Sequence, residues 1–381
     1  MKILHIITTC DVGGAEMHIL SQVRGQVARG HEVRVAYLLG QGTLNPDFLE
    51  AGASWVGLVG KGPGALWRLR THLRWSELVH THLLRADFMG ALAATFWGRR
   101  RALISGKHND ERALLNPKVA RLHGWIGRLP VRTIALSKHV AGFVQEHGRL
   151  TGKGLVCIHY GIDPLPFMGA FAERAEGYKR LRAEFGFGER DVVFVCVARL
   201  AEQKAHDVLL QAFAQAKQAW SDPSRDLRLL IVGDDPFADG MAKTTAWAAD
   251  LDLLEDRSVV LTGIRRDVPA ILGASDVFVM ASRWEGLGLV FLEAMAANLC
   301  VLSTQVSAIP EVVEHGKTGE LVPVDDAQSL GQAMTRLAAN DKLRASYGAR
   351  GLLRVQEHFT LEAMVDSTLA VYEEVRTQTR S

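Results

Sequence analysis

The sequence predicts an α/β protein of two domains, each a parallel sheet flanked by helices. Three observations carry this: a length of 381 residues, a regular alternation of short β-rich apolar runs with helical patterns, and one lapse in that alternation near the middle. At about 150 residues per domain such a chain holds two or three cores, and one lapse gives two. With 48% hydrophobic and 23% charged residues, the composition is that of a globular protein and not of a disordered one.

In the first half, strands are expected at 3–8, 33–39, 55–59, 78–82, 102–107, 133–136 and 155–159. Strands that alternate with helix-length segments need crossover connections, which makes the sheet parallel and Rossmann-like. Between Pro164 and Asp191 the pattern lapses into two prolines, Pro164 and Pro166, and several charges, and is expected to be a linker. Strands resume at 192–197, 227–232, 259–262, 277–281 and 300–304, implying a second Rossmann-like domain. The expected domains are therefore 1–165 and 166–360. Beyond them, Leu361, Met364, Val365, Leu369 and Tyr372 mark the apolar face of a helix from Leu361 to Arg376. Periodicity alone lets that helix dock on either domain.

Composition also excludes function classes. A net charge of +2 argues against a generally basic surface, so no nucleic-acid partner is expected. Cys10, Cys157, Cys196 and Cys300 show no CxxC spacing and are expected to be buried, reduced thiols. The opening MKILHIITT is expected to be a core strand and not a signal peptide, and no apolar run reaches the ~18 residues of a membrane span. A cytoplasmic location is the default expectation. No internal repeat or low-complexity tract is visible.

The chemistry concentrates in residues 282–298, SRWEGLGLVFLEAMAAN. A strand leads into the turn Gly286-Leu287-Gly288-Leu289, and Leu289, Leu292, Met295 and Ala296 then recur at helical spacing. Two glycines let the backbone approach a ligand, and the first helical N–H groups stay free for negative oxygens. Were the interval wholly helical, Glu285 and Glu293 would stand about 12 Å apart, enough to span a diphosphate. Read blandly, they are a surface acid and a helix-start acid.

Gly13 and Gly14 stand at another strand-to-helix turn, where a tight turn and a phosphate or acceptor contact are about equally expected. His82 and His108 each end a strand, where sites gather, yet a lone histidine is often structural. No ligand spacing accompanies them, so no metal site is expected. Arg199 follows a strand and Lys204 precedes a helix: two fixed cations suited to a diphosphate. Gly263 and Arg265 lie in a polar turn whose backbone could read a base edge.

Glu285, seven intervening residues and Glu293, followed by Ala294-Met295-Ala296, resemble the signature of retaining glycosyltransferases of family 4, which have the GT-B fold. The resemblance covers nearly the whole chain, most closely 195–324. It implies two Rossmann-like domains facing across a cleft, with segment 361–381 crossing back onto the first. It further implies that Arg199 and Lys204 bind the phosphates of the donor and that His108 lies near the transferred sugar. The main chain near Gly263 and Arg265 would contact the nucleobase, and Ile309-Pro310-Glu311 would line the pocket. Glu285 is then expected to orient the sugar and Glu293 to hold the ribose. The implied reaction is transfer of a hexose-type sugar from a nucleotide diphosphate, taken as UDP-linked, to a glycan or lipid-linked acceptor, with no cofactor and no metal. A GT-B epimerase and a non-catalytic nucleotide-sugar scaffold are the alternatives. The chain departs from the family pattern at Ala198, Ala205, Ser307 and Ala308, where glycines are usual, and at Tyr160, where asparagine commonly stands.

A last feature is local. Between Lys61 and Arg132 cations outnumber acids and mix with rings: Trp67, Arg68, Arg70, Arg74 and Trp75; Trp97 with Arg99, Arg100 and Arg101; Arg121, Trp125 and Arg128. That mixture suits an anionic membrane surface, so peripheral attachment is one expectation. An ordinary solvated face is the other.

Overall fold

A computed structural model describes residues 1–152, 154–234 and 239–380. The chain forms two compact units: Met1–Gly161 joined by the segment from Thr360 onward, and Ile162–Phe359. The first holds β1 (Lys2–Thr9), β2 (Glu32–Leu39), β3 (Trp55–Leu58), β4 (Leu78–His82), β5 (Leu103–Lys107), β6 (Arg132–Ala135) and β7 (Leu155–Cys157), ordered β3-β2-β1-β4-β5-β6-β7. The second holds β8 (Val192–Val197), β9 (Leu227–Val232), β10 (Val259–Leu261), β11 (Val277–Met280), β12 (Cys300–Thr304) and β13 (Gly319–Val322), ordered β10-β9-β8-β11-β12-β13. The pairings are parallel, as crossover connections demand. In each sheet the winding reverses next to the first strand, between β1 and β4 and between β8 and β11. Ligands of open α/β sheets gather at the carboxyl ends of strands flanking such a point.

Strand alternation sorts the core of the first unit. Ile3 and Ile7 of β1 face one apolar layer, Leu4 and Ile6 the other. The helix Leu361–Arg380 belongs to the former layer through Tyr372 and Val375. It lies close against the helix Gly14–Ala28: a Cβ on Gly25 would come within 2.5 Å of Val365 Cγ2. Gln22 donates to Thr368 Oγ1 at 3.3 Å, and Arg29 pairs with Asp366 at 2.7 Å.

Three expectations are corrected. The segment read as a linker is helical, Leu165–Ala172 and Arg174–Phe185, and lies within the second unit. Its prolines start a helix instead of breaking one, because a first-turn residue needs no N–H partner. Strand β13 went unread since four residues containing Gly319 make a weak β signal. Glycine is required there, as a Cβ would lie 2.2 Å from the Val301 carbonyl oxygen. Finally, Cys157 is exposed; Cys10, Cys196 and Cys300 are buried.

Candidate functional site

In the second unit, the loops after β8 and β11 are stitched together by backbone and amide bonds. Arg283 N–H donates to the Gln203 carbonyl and the Gln203 side-chain amide to the Trp284 carbonyl, each at 2.8 Å. This lays Lys204 against Glu285, with Nζ to Oε2 at 2.5 Å and the two side chains only 12% and 10% exposed. Ser282 Oγ stands 3.5 Å from the same carboxylate oxygen. Arg283, which the sequence reading passed over, locks the arrangement by pairing with Asp207 at 2.7 Å and Asp325 at 2.8 Å and by donating to the Glu202 carbonyl at 3.0 Å. Arg199 is exposed, and among the described residues no side chain pairs with its guanidinium. Its carbonyl instead accepts from His206 at 3.1 Å; burial holds that imidazole near pKa 4, hence neutral.

Ala205, between Lys204 and its helix, adopts φ 50°, and Ser307 adopts φ 49°. Both occupy left-handed backbone where glycine is unstrained. The resemblance had marked both as replacements of glycine.

The helix Leu289–Ala296 begins only after Gly288, so Glu285 lies in the preceding turn. The about 12 Å spacing of a wholly helical interval therefore does not apply. Gly288 has φ +79°, and a Cβ there would meet Phe291 Cδ2 at 2.6 Å and Glu285 Cγ at 3.2 Å, so glycine is needed for both reasons. Leu287 and Gly286 are buried and anchor the turn, and Gly288 is partly exposed. The N–H groups of Leu289 and Val290 have no intrahelical acceptor, as at any helix start. Glu293 sits on the second turn of this helix. Burial alone pushes its carboxyl up to about 7, and among the described residues nothing hydrogen-bonds it.

Gly263 has φ +70° with open space where a Cβ would stand, and its carbonyl accepts from Gly233 N–H at 2.9 Å. The side chain of Arg265 is engaged within the unit: it pairs with Asp267 at 2.7 Å and with Glu184, while Ile264 and Arg266 of the same turn are exposed. A concavity of about 710 Å³ beside the β8 loop is lined by Leu200, Glu202, His206, Asp207, Trp247 and Arg283. Arg199, Lys204, Glu285 and Glu293 do not line it.

In the first unit, Gly13 has extended backbone, φ −164°, that any residue could adopt. A Cβ there would lie 2.4 Å from Glu16 Oε2, so the end of that side chain would have to shift; its other oxygen accepts from Thr9 Oγ1 at 2.6 Å. The chain's own carboxylate thus folds over the turn for which a tight turn and a phosphate or acceptor contact were about equally expected. Gly14 has open space around it.

His82 and His108 are brought together, along with three histidines the sequence reading missed. His5 Nδ1 and His82 Nε2 are 2.8 Å apart, His82 Nδ1 and His108 Nε2 2.8 Å, and His108 Nδ1 and the Tyr160 hydroxyl 2.6 Å. His18 stacks on Tyr160 with centroids 3.7 Å apart, and His80 Nδ1 lies 2.6 Å from the Tyr372 hydroxyl. His80 and His82, two residues apart in an otherwise apolar strand, were the available signal: period two puts both on one face. Nitrogens of His5, His80 and His82 lie within 4.8 Å of one another. Yet the hydrogen bond between His5 and His82 and that between His80 and Tyr372 already use three of these atoms; of the nitrogens of these three residues, His80 Nε2 alone is unpartnered. Beside this cluster Lys107, buried, pairs with Asp87, which also accepts from Thr81 at 2.5 Å and Ser105 at 2.8 Å.

Two Rossmann-like units with sheets wound alike, the second carrying paired loops with a lysine–glutamate couple, define a GT-B protein. Residues 191–340 match the family described as Glycosyl transferases group 1, and residues 12–164 match Glycosyltransferase Family 4. The chain belongs to this family of transferases, the family 4 glycosyltransferases. N-acetyl-alpha-D-glucosaminyl L-malate synthase of Bacillus anthracis is 31% identical over 51% of this chain and 49% of its own. A GDP-mannose-dependent phosphatidylinositol monomannoside mannosyltransferase of Mycolicibacterium smegmatis is 31% identical over 60% of this chain and 61% of its own. The chain thus spans about half to three-fifths of the length of these curated relatives. Among solved structures, a glycosyltransferase from Rickettsia africae superposes with a TM-score of 0.84 at 18% identity, covering 98% of both chains. Anabaena HepE in complex with UDP and glucose gives 0.83 at 20% identity, covering 98% of this chain and 100% of that one. At such identity the likeness concerns the fold.

Proposed function

We propose that the protein is a retaining glycosyltransferase that moves a hexose-type sugar from a nucleotide diphosphate to a glycan or lipid-linked acceptor. The observation that carries this reading is the Lys204–Glu285 couple, held by the joined β8 and β11 loops at the start of the helix Leu289–Ala296, with the exposed Arg199 in the same β8 loop as Lys204. Two cations and free helical N–H groups stabilise a leaving diphosphate as its charge develops. Glu285, at the turn, orients the sugar; Glu293, deeper on the helix, accepts from ribose hydroxyls; His108 accepts from a sugar hydroxyl. The main chain of Gly263 and Arg265 meets the base, which leaves the base itself open to side chains elsewhere. Because Arg199 and Lys204 supply positive charge, no metal is required.

UDP is the donor nucleotide of this reading. The mannosyltransferase relative is named for GDP-mannose and supports the rival base. Incubation with a panel of UDP- and GDP-sugars decides between them. Transfer or slow hydrolysis of one donor supports the transferase, an isomerised donor means an epimerase, and binding without turnover means a scaffold.

The acceptor is placed at a membrane surface. The helix Pro117–Ile126 exposes Leu122 (50%) and Trp125 (63%) together with Lys118 and Arg121, apolar and cationic groups on its solvent face. Trp67 is likewise 62% exposed. Trp75 and Trp97 are half-buried, Trp97 donating its indole N–H to the Leu66 carbonyl at 2.9 Å, and do not contribute. Among the described residues no helix is long and apolar enough to cross a membrane. The attachment of this reading is peripheral and rests on these exposed aromatic, apolar and cationic groups.

A further inference from the structure

The histidine cluster of the first unit is a single hydrogen-bonded line. It runs from the Tyr160 hydroxyl through His108, His82 and His5 to the side chain of Gln26, whose Oε1 lies 2.9 Å from His5 Nε2. Gln26, His5 and His82 are fully buried; Tyr160 and His108 are 4% and 8% exposed. Gly106 makes the room. A Cβ there would stand 2.9 Å from both His82 Nδ1 and His108 Nε2, and 3.0 Å from His80 Nε2.

Each ring is neutral, since burial pushes His5 down to about 4 and His108 to about 3, and lowers His82 well below the usual imidazole range. A neutral imidazole has one N–H and one lone pair. Joined end to end, such rings have only two arrangements, every proton pointing toward Gln26 or every proton pointing toward Tyr160. The terminal amide selects one of them. The oxygen of Gln26 faces His5 and can only accept, while its nitrogen faces the Tyr372 hydroxyl at 3.5 Å. The Tyr372 hydroxyl, which accepts from this amide nitrogen, also lies 2.6 Å from His80 Nδ1, so the helix Leu361–Arg380 supplies the partner that matches this orientation of the amide. It follows that His5 carries its proton on Nε2, and so do His82 and His108.

We infer that Gln26 is a positioning residue which, through His5 and His82, fixes the tautomer of His108 and leaves its Nδ1 lone pair to accept a hydroxyl proton. In this structure the hydroxyl is that of Tyr160; during transfer it is one of the sugar, a role that rests on the transferase reading above. Tyr160 keeps the acceptor atom occupied until a substrate hydroxyl replaces it. A reversed line would present an N–H to the sugar, and a sugar oxygen would then have to accept instead of donate.

The test is long-range proton–nitrogen NMR on the full chain labelled with 15N-histidine. Wild type is expected to show His108 protonated at Nε2 with Nδ1 bare. Tyr160→Phe is expected to keep that tautomer, because the polarity is set at the other end. Gln26→Leu is expected to give a mixture of His108 tautomers and a fall in kcat of about tenfold with little change in KM, roughly the effect of one mis-set hydrogen bond to a reacting group. A wild-type His108 protonated at Nδ1 overturns the inference, as does an unchanged single tautomer in Gln26→Leu. The wild-type spectrum needs no donor and no variant. If it shows the expected tautomer while no donor in the panel is turned over, the transferase reading fails and the tautomer assignment stands.

Discussion

Lys204 Nζ lies 2.5 Å from Glu285 Oε2 although 81 residues separate them in the chain. Each is the other's neutralising partner. On the proposed reading, a diphosphate drawing Lys204 away would release Glu285 toward the sugar, which couples the two roles.

We therefore expect Glu285→Gln to lower turnover by about 10²-fold or more, the scale of losing one electrostatic contact to a reacting centre. Affinity for the free nucleoside diphosphate should change little. Lys204→Ala should weaken that affinity instead and should not be rescued by substrate saturation. Calorimetric titration beside turnover assays checks both. Equal loss of nucleotide affinity in the two variants would contradict the separate roles.

Glu293 gives a pH dependence. Its folded pKa of about 7 lies above the ordinary 4.5, so the protonated form is favoured by folding. That contribution to stability is intact at acid pH, below the unfolded value, and is lost as pH rises through about 7. Hydrogen-bond acceptance from a ribose works best from the carboxylate. Affinity for a nucleotide sugar should thus rise, by up to about tenfold per unit, as pH climbs toward about 7, while thermal stability falls between about pH 4.5 and about 7 and levels off above. Both slopes should flatten in Glu293→Gln. A nucleotide sugar is preferred to the free diphosphate as probe, since its phosphates do not titrate there. A steep slope persisting in the variant would assign it to another group.

Chelation should leave most activity intact, because Arg199 and Lys204 carry the charge that Mg²⁺ supplies in other phosphoryl sites. Activity lost with EDTA and regained with Mn²⁺ or Mg²⁺ would refute this. So would full activity in Arg199→Ala.

Vesicle sedimentation tests the membrane reading. Wild type should pellet with anionic vesicles at low salt and less so at high salt, at roughly 1 kcal/mol per engaged cation. Trp125→Ala combined with Arg121→Glu should stay in the supernatant. Wild type remaining there with anionic lipid would make a soluble acceptor the better reading.

The sequence by itself determined the two parallel sheets, because a β-branched run such as residues 192–197 has one stable use between helices and its bounds were read without error. It also placed Arg199, Lys204, Glu285 and Gly288 in the loops that follow β8 and β11, because those strands end where their apolar runs end. Tertiary structure decided what those side chains touch. The pairing of Lys204 with Glu285, and of Arg283 with Asp207 and Asp325, joins residues tens of positions apart, which no local period records. The same holds for the first unit. His5 and His80 share a register across β1 and β4, His108 ends β5, and Gln26 and Tyr372 come from two helices at opposite ends of the chain. Each reads alone as a satisfied core residue. Only strand pairing and the packing of the helix Leu361–Arg380 on Gly14–Ala28 bring them to hydrogen-bonding distance, because a hydrogen bond depends on ångströms and sequence spacing fixes only direction.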